Sequence, residues 1–271
     1  VLNVTRRSFD GWLTGRAVEA GVVLYRSAEF LFFQERGGVI LSQFREPHIG
    51  TVTSDFLIGG DGVYSRVRAQ LSPRKDADRA YYIQEYYPRT GEFDDAFYLM
   101  YRENVSPIYA YVIPKFDALC LGIGVHRARP PSFREGMTNF KAWLKEDFGF
   151  RDLGRIGKEG FSVPFGGLFG GRGRVLLVGD AAGFCYPITG EGITFAIQSG
   201  AEAAVAIGSG ADSDAAERYW MGIKGLANTM QIIADTTLTM TDEELERRAG
   251  RKYSGLPLPR RKELRASSKN T

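Results

Sequence analysis

The stretch Val175–Ile193, VLLVGDAAGFCYPITGEGI, decides how the rest of the chain is read. Val175 to Val178 form an apolar run that reads as a buried strand, and Gly179 with Asp180 closes it. The small residues Ala181, Ala182 and Gly183 then let a ligand approach the backbone. Pro187 leads into TGEGI, and a helical pattern runs from Ile193 through Ile197 to Ala204. A segment of this kind usually holds part of a nucleotide. Its carboxylate accepts hydrogen bonds, while Gly190 and Gly192 leave backbone N–H groups uncovered at the positive end of the helix. The plainer reading, a glycine turn before a core helix, explains less of it.

A second strand-end aspartate lies upstream in DFLIGGDGVYSRVRAQL, residues 55–71. A buried-looking strand delivers Asp61, Gly62 permits a turn with positive φ, and Ser65 is placed to cap a helix carrying Arg66 and Arg68. Asp61 there suits sugar hydroxyls, and helix-start amides with arginines suit phosphate. An ordinary strand–turn–helix with a capping aspartate explains this stretch about as well. No G-x-G-x-x-G follows a strand anywhere in the 271 residues, so the loop that usually accompanies such aspartates is not in this sequence.

Composition narrows the field. The chain can bury a substantial core, as one large domain or two small ones. A formal net charge of +3 is too small to argue for nucleic acid. Cys120 and Cys185 lack metal-like spacing, which points away from a disulfide framework or a zinc site and towards a reducing, cytoplasmic setting. His48 is expected in a solvent-facing turn and His126 at the surface. No apolar run is long enough to span a bilayer, and no signal peptide is visible. The basic tail suits either an anionic membrane surface or a solvated end. The chain begins with Val and enters a helix almost at once, which sets the expectation of a missing N-terminal part.

Along the chain, RRSFDGWLTGRAVEAG reads as a helix with Phe9, Trp12, Leu13 and Ala17 on one face and Gly21 as its stop. VVLYRSAEFLFF and GGVILSQF read as a strand pair, and TVTSDFLIGGDG as one further strand. Four aromatic-rich runs between Arg79 and His126 predict an antiparallel meander. SFREGMTNFKAWLKEDFG places Phe133, Met137, Phe140, Leu144 and Phe148 at helical spacing.

Together, DGVYSRVR and RVLLVGDAAGFCYPITGEGI resemble the second and third FAD motifs of flavoproteins with the p-hydroxybenzoate hydroxylase fold. VTRRSFDGWLTGRAVEAG resembles the preceding helix, with Arg6 matching an arginine that contacts the flavin. GDAAGFCYPITGEGITFAIQSG looks most like the geranylgeranyl reductase branch. The resemblance runs from about Val1 to about Ile207. It implies FAD as cofactor, with Arg6, Asp61, Gly62, Gly179, Asp180, Pro187, Gly190, Gly192 and Ile193 around it. Asp180 would hold the ribityl chain and Gly190–Gly192 the reduced flavin anion. NAD(P)H or ferredoxin would supply electrons.

YAYVIPKFDALCLGIG, residues 109–124, fits the substrate-lobe motif of that branch, where Y-x-W-x-F-P is expected. Tyr111 replaces the Trp and Ile113 the Phe. The implied role is an aromatic wall shaping an apolar tunnel for an isoprenoid or lipid chain, with Tyr109 and Tyr111 as candidate proton donors. Aromatics packing on one another in a half-buried strand remain an equal reading for either Tyr. Flavin-dependent halogenases, resembling W-x-W-x-I-P here, match Ile113-Pro114 better, whereas PITGEG is the reductase form.

The expectation is therefore an α/β FAD-binding fold of the hydroxylase type lacking its first βαβ unit, with an antiparallel β substrate lobe. The FAD-binding domain would occupy 1–72, the lobe 73–163, the third motif and its helix 164–208, and C-terminal helices with a basic tail 209–271. The expected activity is reduction of carbon–carbon double bonds in geranylgeranyl chains. A monooxygenase or halogenase, and an inactive fragment without the ADP-binding loop, stand as alternatives.

Overall fold

The computed structural model describes residues 6–45, 49–73, 79–126, 131–210, 214–237, 239–245 and 247. His48 and the basic tail lie outside them. The chain divides into two compact units, Val1–Asp55 and Phe56–Thr271.

In the first unit, α1 (Arg6–Glu19) is followed by an antiparallel sheet in the order β1-β2-β3, of β1 (Glu29–Arg36), β2 (Val39–Arg45) and β3 (Thr51–Ser54). No residue of α1 is buried, and Trp12 is 60% exposed. The strand expected from Val22 begins only at Glu29, because Ser27 adopts a positive φ and breaks the extended run.

TVTSDFLIGGDG is not one strand. β3 stops at Ser54, and β4 (Leu57–Gly59) belongs to a different sheet in the second unit. There β4 pairs in parallel with β11 (Val175–Leu177), aligning Leu57 with Val175 and Gly59 with Leu177; the short β10 (Gly171–Arg172) lies beyond β11. Both strand-end aspartates therefore leave the carboxyl ends of neighbouring parallel strands. Open α/β sheets bind their ligands at that edge.

The rest of the second unit is dominated by a five-stranded antiparallel sheet of β5 (Arg79–Pro88), β6 (Tyr98–Arg102), β7 (Ser106–Lys115), β8 (Ala118–Val125) and β9 (Gly157–Pro164). Its order is β6-β7-β8-β5-β9, so three strands form the expected meander while β5 adds beside β8 and β9 beside β5. α3 (Phe133–Phe148) covers one face. Its Met137, Phe140 and Leu144 are buried against Val112, Leu119, Leu121 and Ile123, each such burial contributing roughly 1.5–3 kcal/mol. Ser132 caps the helix from its side chain, and Gly149 ends it in the left-handed region. The opposite face packs on Phe165 and Ile188, from the two segments flanking β11.

Four further helices complete the described part of the unit: α2 (Arg66–Leu71), the single turn α4 (Gly179–Ala182) and the pair α5 (Ile193–Gly208) and α6 (Ala215–Thr237). Among the described residues no helix is long and apolar enough to cross a membrane.

Candidate functional site

Asp61 turns inward on its own helix. One carboxylate oxygen accepts from the backbone N–H of Arg66 at 2.7 Å and of Val67 at 3.3 Å, and Ser65 Oγ accepts from Arg68 N at 2.9 Å. Gly62 has φ +80°, as the turn requires. The capping role of Asp61 is thus realised in the structure, alongside whatever its second oxygen binds.

Arg68 departs from expectation. It is 5% exposed, and its guanidinium donates to the carbonyls of Ala181 (3.0 Å), Gly167 and Ser72. A cation consumed by three carbonyls is a clamp between α2 and the Val175–Ile193 segment, and it does not face a phosphate. Nothing in the sequence pattern separated it from Arg66, which is exposed.

The Val175–Ile193 loop is held from several directions. Tyr219 Oη donates to Leu177 O at 2.9 Å, Gly179 N donates to Ser199 Oγ at 2.9 Å, and Phe169 N donates to Ala182 O at 2.9 Å. Gly179 has φ +55°, and a Cβ there would press on Ala196 at 3.1 Å, so glycine lets α4 and α5 approach closely. Residues 186–191 close on themselves: Tyr186 N donates to Glu191 O at 2.9 Å, and Gly190 N donates to Tyr186 O at 2.8 Å. The Gly190 N–H is therefore used within the loop, contrary to the expectation that it lies uncovered. Gly192 is the N-cap of α5, and a Cβ there would sit 3.2 Å from Asp180 Oδ1. The Asp180 carboxylate thus lies against the N-terminus of a 16-residue helix, where the dipole favours negative charge. Pro187 is buried beside Ile188, and Ile193 is half-exposed at the start of α5.

The two candidate tyrosines separate. Tyr109, 5% exposed, aims its hydroxyl at Gly190 so closely that a Cβ there would overlap it. Tyr101 Oη donates to Ile188 O at 3.4 Å from the same sheet face. Burial, with Tyr82 beside it, pushes the Tyr109 phenol well above its ordinary range, so it stays protonated. Tyr111 points elsewhere: its hydroxyl donates to Gln84 Oε1 at 2.8 Å, two strands away. Of the sequence candidates, Tyr109, Asp180, Gly190 and Gly192 are brought together. Arg6 lies in the first unit, exposed, and pairs with Asp10 at 3.1 Å.

His126 is buried at 6% exposure against Phe165, which corrects its expected surface position; the covering residues come from the segment after β9, too distant in sequence to foresee. Cys120 and Cys185 are both buried and not joined in a disulfide, and burial pushes the Cys120 thiol up to about 11. Among the described residues no group of ligating side chains could hold a metal ion.

The donor set suits the ribityl and isoalloxazine half of a flavin. A strand-end carboxylate at a helix N-terminus can accept from sugar hydroxyls, whereas Ala181 and Ala182 beside it are fully buried with their carbonyls taken by Arg68 and Phe169, contrary to the expectation that they let a ligand approach the backbone. The structure matches a probable FAD-dependent monooxygenase of Pseudomonas aeruginosa with TM-score 0.63 at 20% identity, covering 88% of this chain and 70% of that one. It matches a geranylgeranyl bacteriochlorophyll reductase-like protein of Thermoplasma acidophilum with TM-score 0.76 at 22% identity, covering 89% and 65%. The fold is that of FAD-dependent oxidoreductases and hydroxylases.

In sequence the chain is similar to geranylgeranyl reductases. It is 33% identical to the geranylgeranyl diphosphate reductase of Synechocystis over 159 residues, 54% of this chain and 36% of that protein. It is 28% identical to digeranylgeranylglycerophospholipid reductase 1 of Methanopyrus kandleri over 207 residues, 72% of this chain and 54% of that protein. The chain thus spans about a third to a half of the length of these relatives. No family model matches it.

Proposed function

We propose that this chain carries the flavin-facing and substrate-facing parts of an FAD-dependent oxidoreductase that saturates carbon–carbon double bonds in geranylgeranyl chains of a lipid or isoprenoid. The observation that carries this reading is the meeting of Tyr109 with Gly190, which brings the aromatic sheet face onto the loop beside Asp180. The fold would be the p-hydroxybenzoate hydroxylase type, with residues 164–208 as its third motif and roughly 73–163 as its substrate lobe. The ADP half of FAD would be bound outside these residues, since β4 ends its sheet with Ile58 44% exposed, and parallel strands are normally covered.

When bound, the flavin supplies hydride after reduction by NAD(P)H or ferredoxin. Asp180 would orient the ribityl chain by accepting hydrogen bonds from its hydroxyls. Gly192 leaves the α5 N-terminus accessible to negative charge. Tyr109, neutral and buried, holds a proton at its hydroxyl oxygen beside Gly190 and is the candidate donor to the second alkene carbon. The sheet face excludes water and aligns the chain. Asp61 and Gly62 would approach the cofactor from the neighbouring strand.

Anaerobic photoreduction of the flavin-loaded protein, followed by addition of a geranylgeranyl lipid, tests the reading. Alkene-dependent reoxidation with loss of one double bond per flavin is expected, and Tyr109→Phe is expected to slow it at least tenfold. A second reading follows from the structural likeness to an FAD-dependent monooxygenase. Admitting oxygen to the reduced protein separates the two: reoxidation that ignores the alkene but couples oxygen consumption to substrate hydroxylation or halogenation would overturn the reductase in favour of it. The basic tail would favour contact with an anionic membrane surface carrying the substrate.

A further inference from the structure

The sheet face that meets Gly190 is built in rows crossing the strands. In one row Tyr82 pairs with Gly124 on one side and Phe161 on the other. In the next, Tyr111 pairs with Gly122, Gly122 with Gln84, and Gln84 with Glu159. In the third, Ile113 pairs with Cys120, Cys120 with Tyr86, and Tyr86 with Gly157. Each row contains one glycine, and each glycine lies under a tyrosine ring. A Cβ on Gly124 would come within 2.6 Å of Tyr82, one on Gly157 within 3.1 Å of Tyr86, and one on Gly122 would overlap the Tyr111 ring. The rings therefore lie down on the sheet, where tyrosines on strands usually stand roughly perpendicular to it.

Lying flat needs a cause beyond space. Tyr82 is braced by Phe161, stacked at 5.5 Å and 11°. Tyr111 has a polar latch: its hydroxyl reaches across Gly122 to Gln84 Oε1 at 2.8 Å. Gln84 is fixed in turn, its amide donating to Tyr86 Oη at 2.8 Å and Glu159 Oε2 at 2.6 Å. The rim beyond is apolar and open, with Phe97 48% and Phe161 41% exposed. The row runs from buried Tyr111 through half-buried Gln84 to exposed Glu159, and its hydrogen bonds specify one arrangement of its members.

We propose that Gln84 is a positioning residue that sets the height of the substrate space. By holding the Tyr111 hydroxyl it keeps that ring flat, and release lets the ring stand into the volume that a linear run of methyl-bearing isoprene units would occupy. The proposal rests on the reading of this face as the isoprenoid site.

Equilibrium dialysis of the full chain against radiolabelled geranylgeraniol, with Gln84→Met, Tyr111→Phe and the double variant, tests it. Each single variant breaks the latch, so each is expected to weaken binding about tenfold, and the double variant no further, a coupling as large as either effect. Unchanged binding in both single variants overturns the proposal, and so do effects that multiply to about a hundredfold. If Gln84→Met does not fold, Tyr111→Phe removes the same bond at the loss of one oxygen and carries the same expectation. If the wild-type chain binds no geranylgeraniol, the isoprenoid reading fails. The latch is then judged by 19F NMR of 3-fluorotyrosine at position 111: a changed resonance in Gln84→Met upholds it, and an unchanged one rejects it.

Discussion

At Gly190 three demands fall on one residue. Its φ of +66° disfavours any side chain, its N–H closes the 186–191 loop on Tyr186, and its α-carbon seats the Tyr109 hydroxyl. Gly190→Ala should lower stability by about 2–4 kcal/mol, part from the left-handed backbone and part from overlap. Urea unfolding measures this. Adding Tyr109→Phe should recover the overlap part alone, and equal stability of the single and double variants would show that the ring is not the obstacle. Arg68 makes a second case. Arg68→Met keeps the bulk but leaves three carbonyls without their donor, and a loss of about 2–4 kcal/mol is expected in the same measurement. A surface arginine would cost within about 0.5 kcal/mol. The sequence offered Arg66 and Arg68 alike as phosphate ligands; only the fold, which carries Gly167 and Ala181 to α2 from a hundred residues away, distinguishes them.

Among the elements, β5 carries the most information per residue. One of its faces bears Tyr82, Gln84 and Tyr86, and the other bears Glu85 and Tyr87 towards α3 and the segment after it. Glu85, 6% exposed, accepts from Tyr87 Oη at 2.6 Å and from Arg155 at 2.7 Å. Burial alone would raise its pKa, but the Tyr87 hydrogen bond and the Arg155 guanidinium outweigh it and hold the carboxyl below its ordinary value. Lys141 holds Asp152 below its own in the same cluster, at 3.0 Å. A depressed folded pKa adds stability that is full above the unfolded carboxyl value, about 4.3 for Glu, and is lost as pH falls through the folded one. Stability measured by denaturant between pH 6 and 3 should therefore drop on the acid side, and Glu85→Gln should flatten that drop. An unchanged acid slope in the variant would contradict the assignment.

How much of these elements could be read beforehand follows from what periodicity encodes. α3 was legible to its ends because Met137, Phe140 and Leu144 repeat at helical spacing and Ser132 and Gly149 mark its caps. The four aromatic strands were legible as strands, yet their order was not. β5 sits between β8 and β9, and pairing across that distance leaves no local trace. The glycine–tyrosine rows depend on that register, so Gln84 could not be picked out. The division of residues 51–59 between two sheets was hidden for a related reason: Asp55 and Phe56 carry no turn signal stronger than the apolar pattern around them. The turn between β11 and α5 was legible because its glycines and Pro187 act locally, but the use of the Gly190 N–H within the loop was not.

At the scale of the whole molecule, the second unit joins a parallel strand pair ending in two aspartates to an antiparallel sheet whose tyrosine face lands on Gly190. Under the proposed function, one half would hold a flavin's polar chain and the other an apolar substrate. The account stands or falls on Asp180 and its loop. Titration of the purified chain with FAD, followed by absorbance and by quenching of flavin fluorescence, tests that claim most directly. The account predicts saturable binding that shifts the flavin spectrum and is weakened at least tenfold by Asp180→Ala with folding intact. Saturable binding that Asp180→Ala leaves unaltered, or no binding by the wild-type chain at flavin excess, would contradict it.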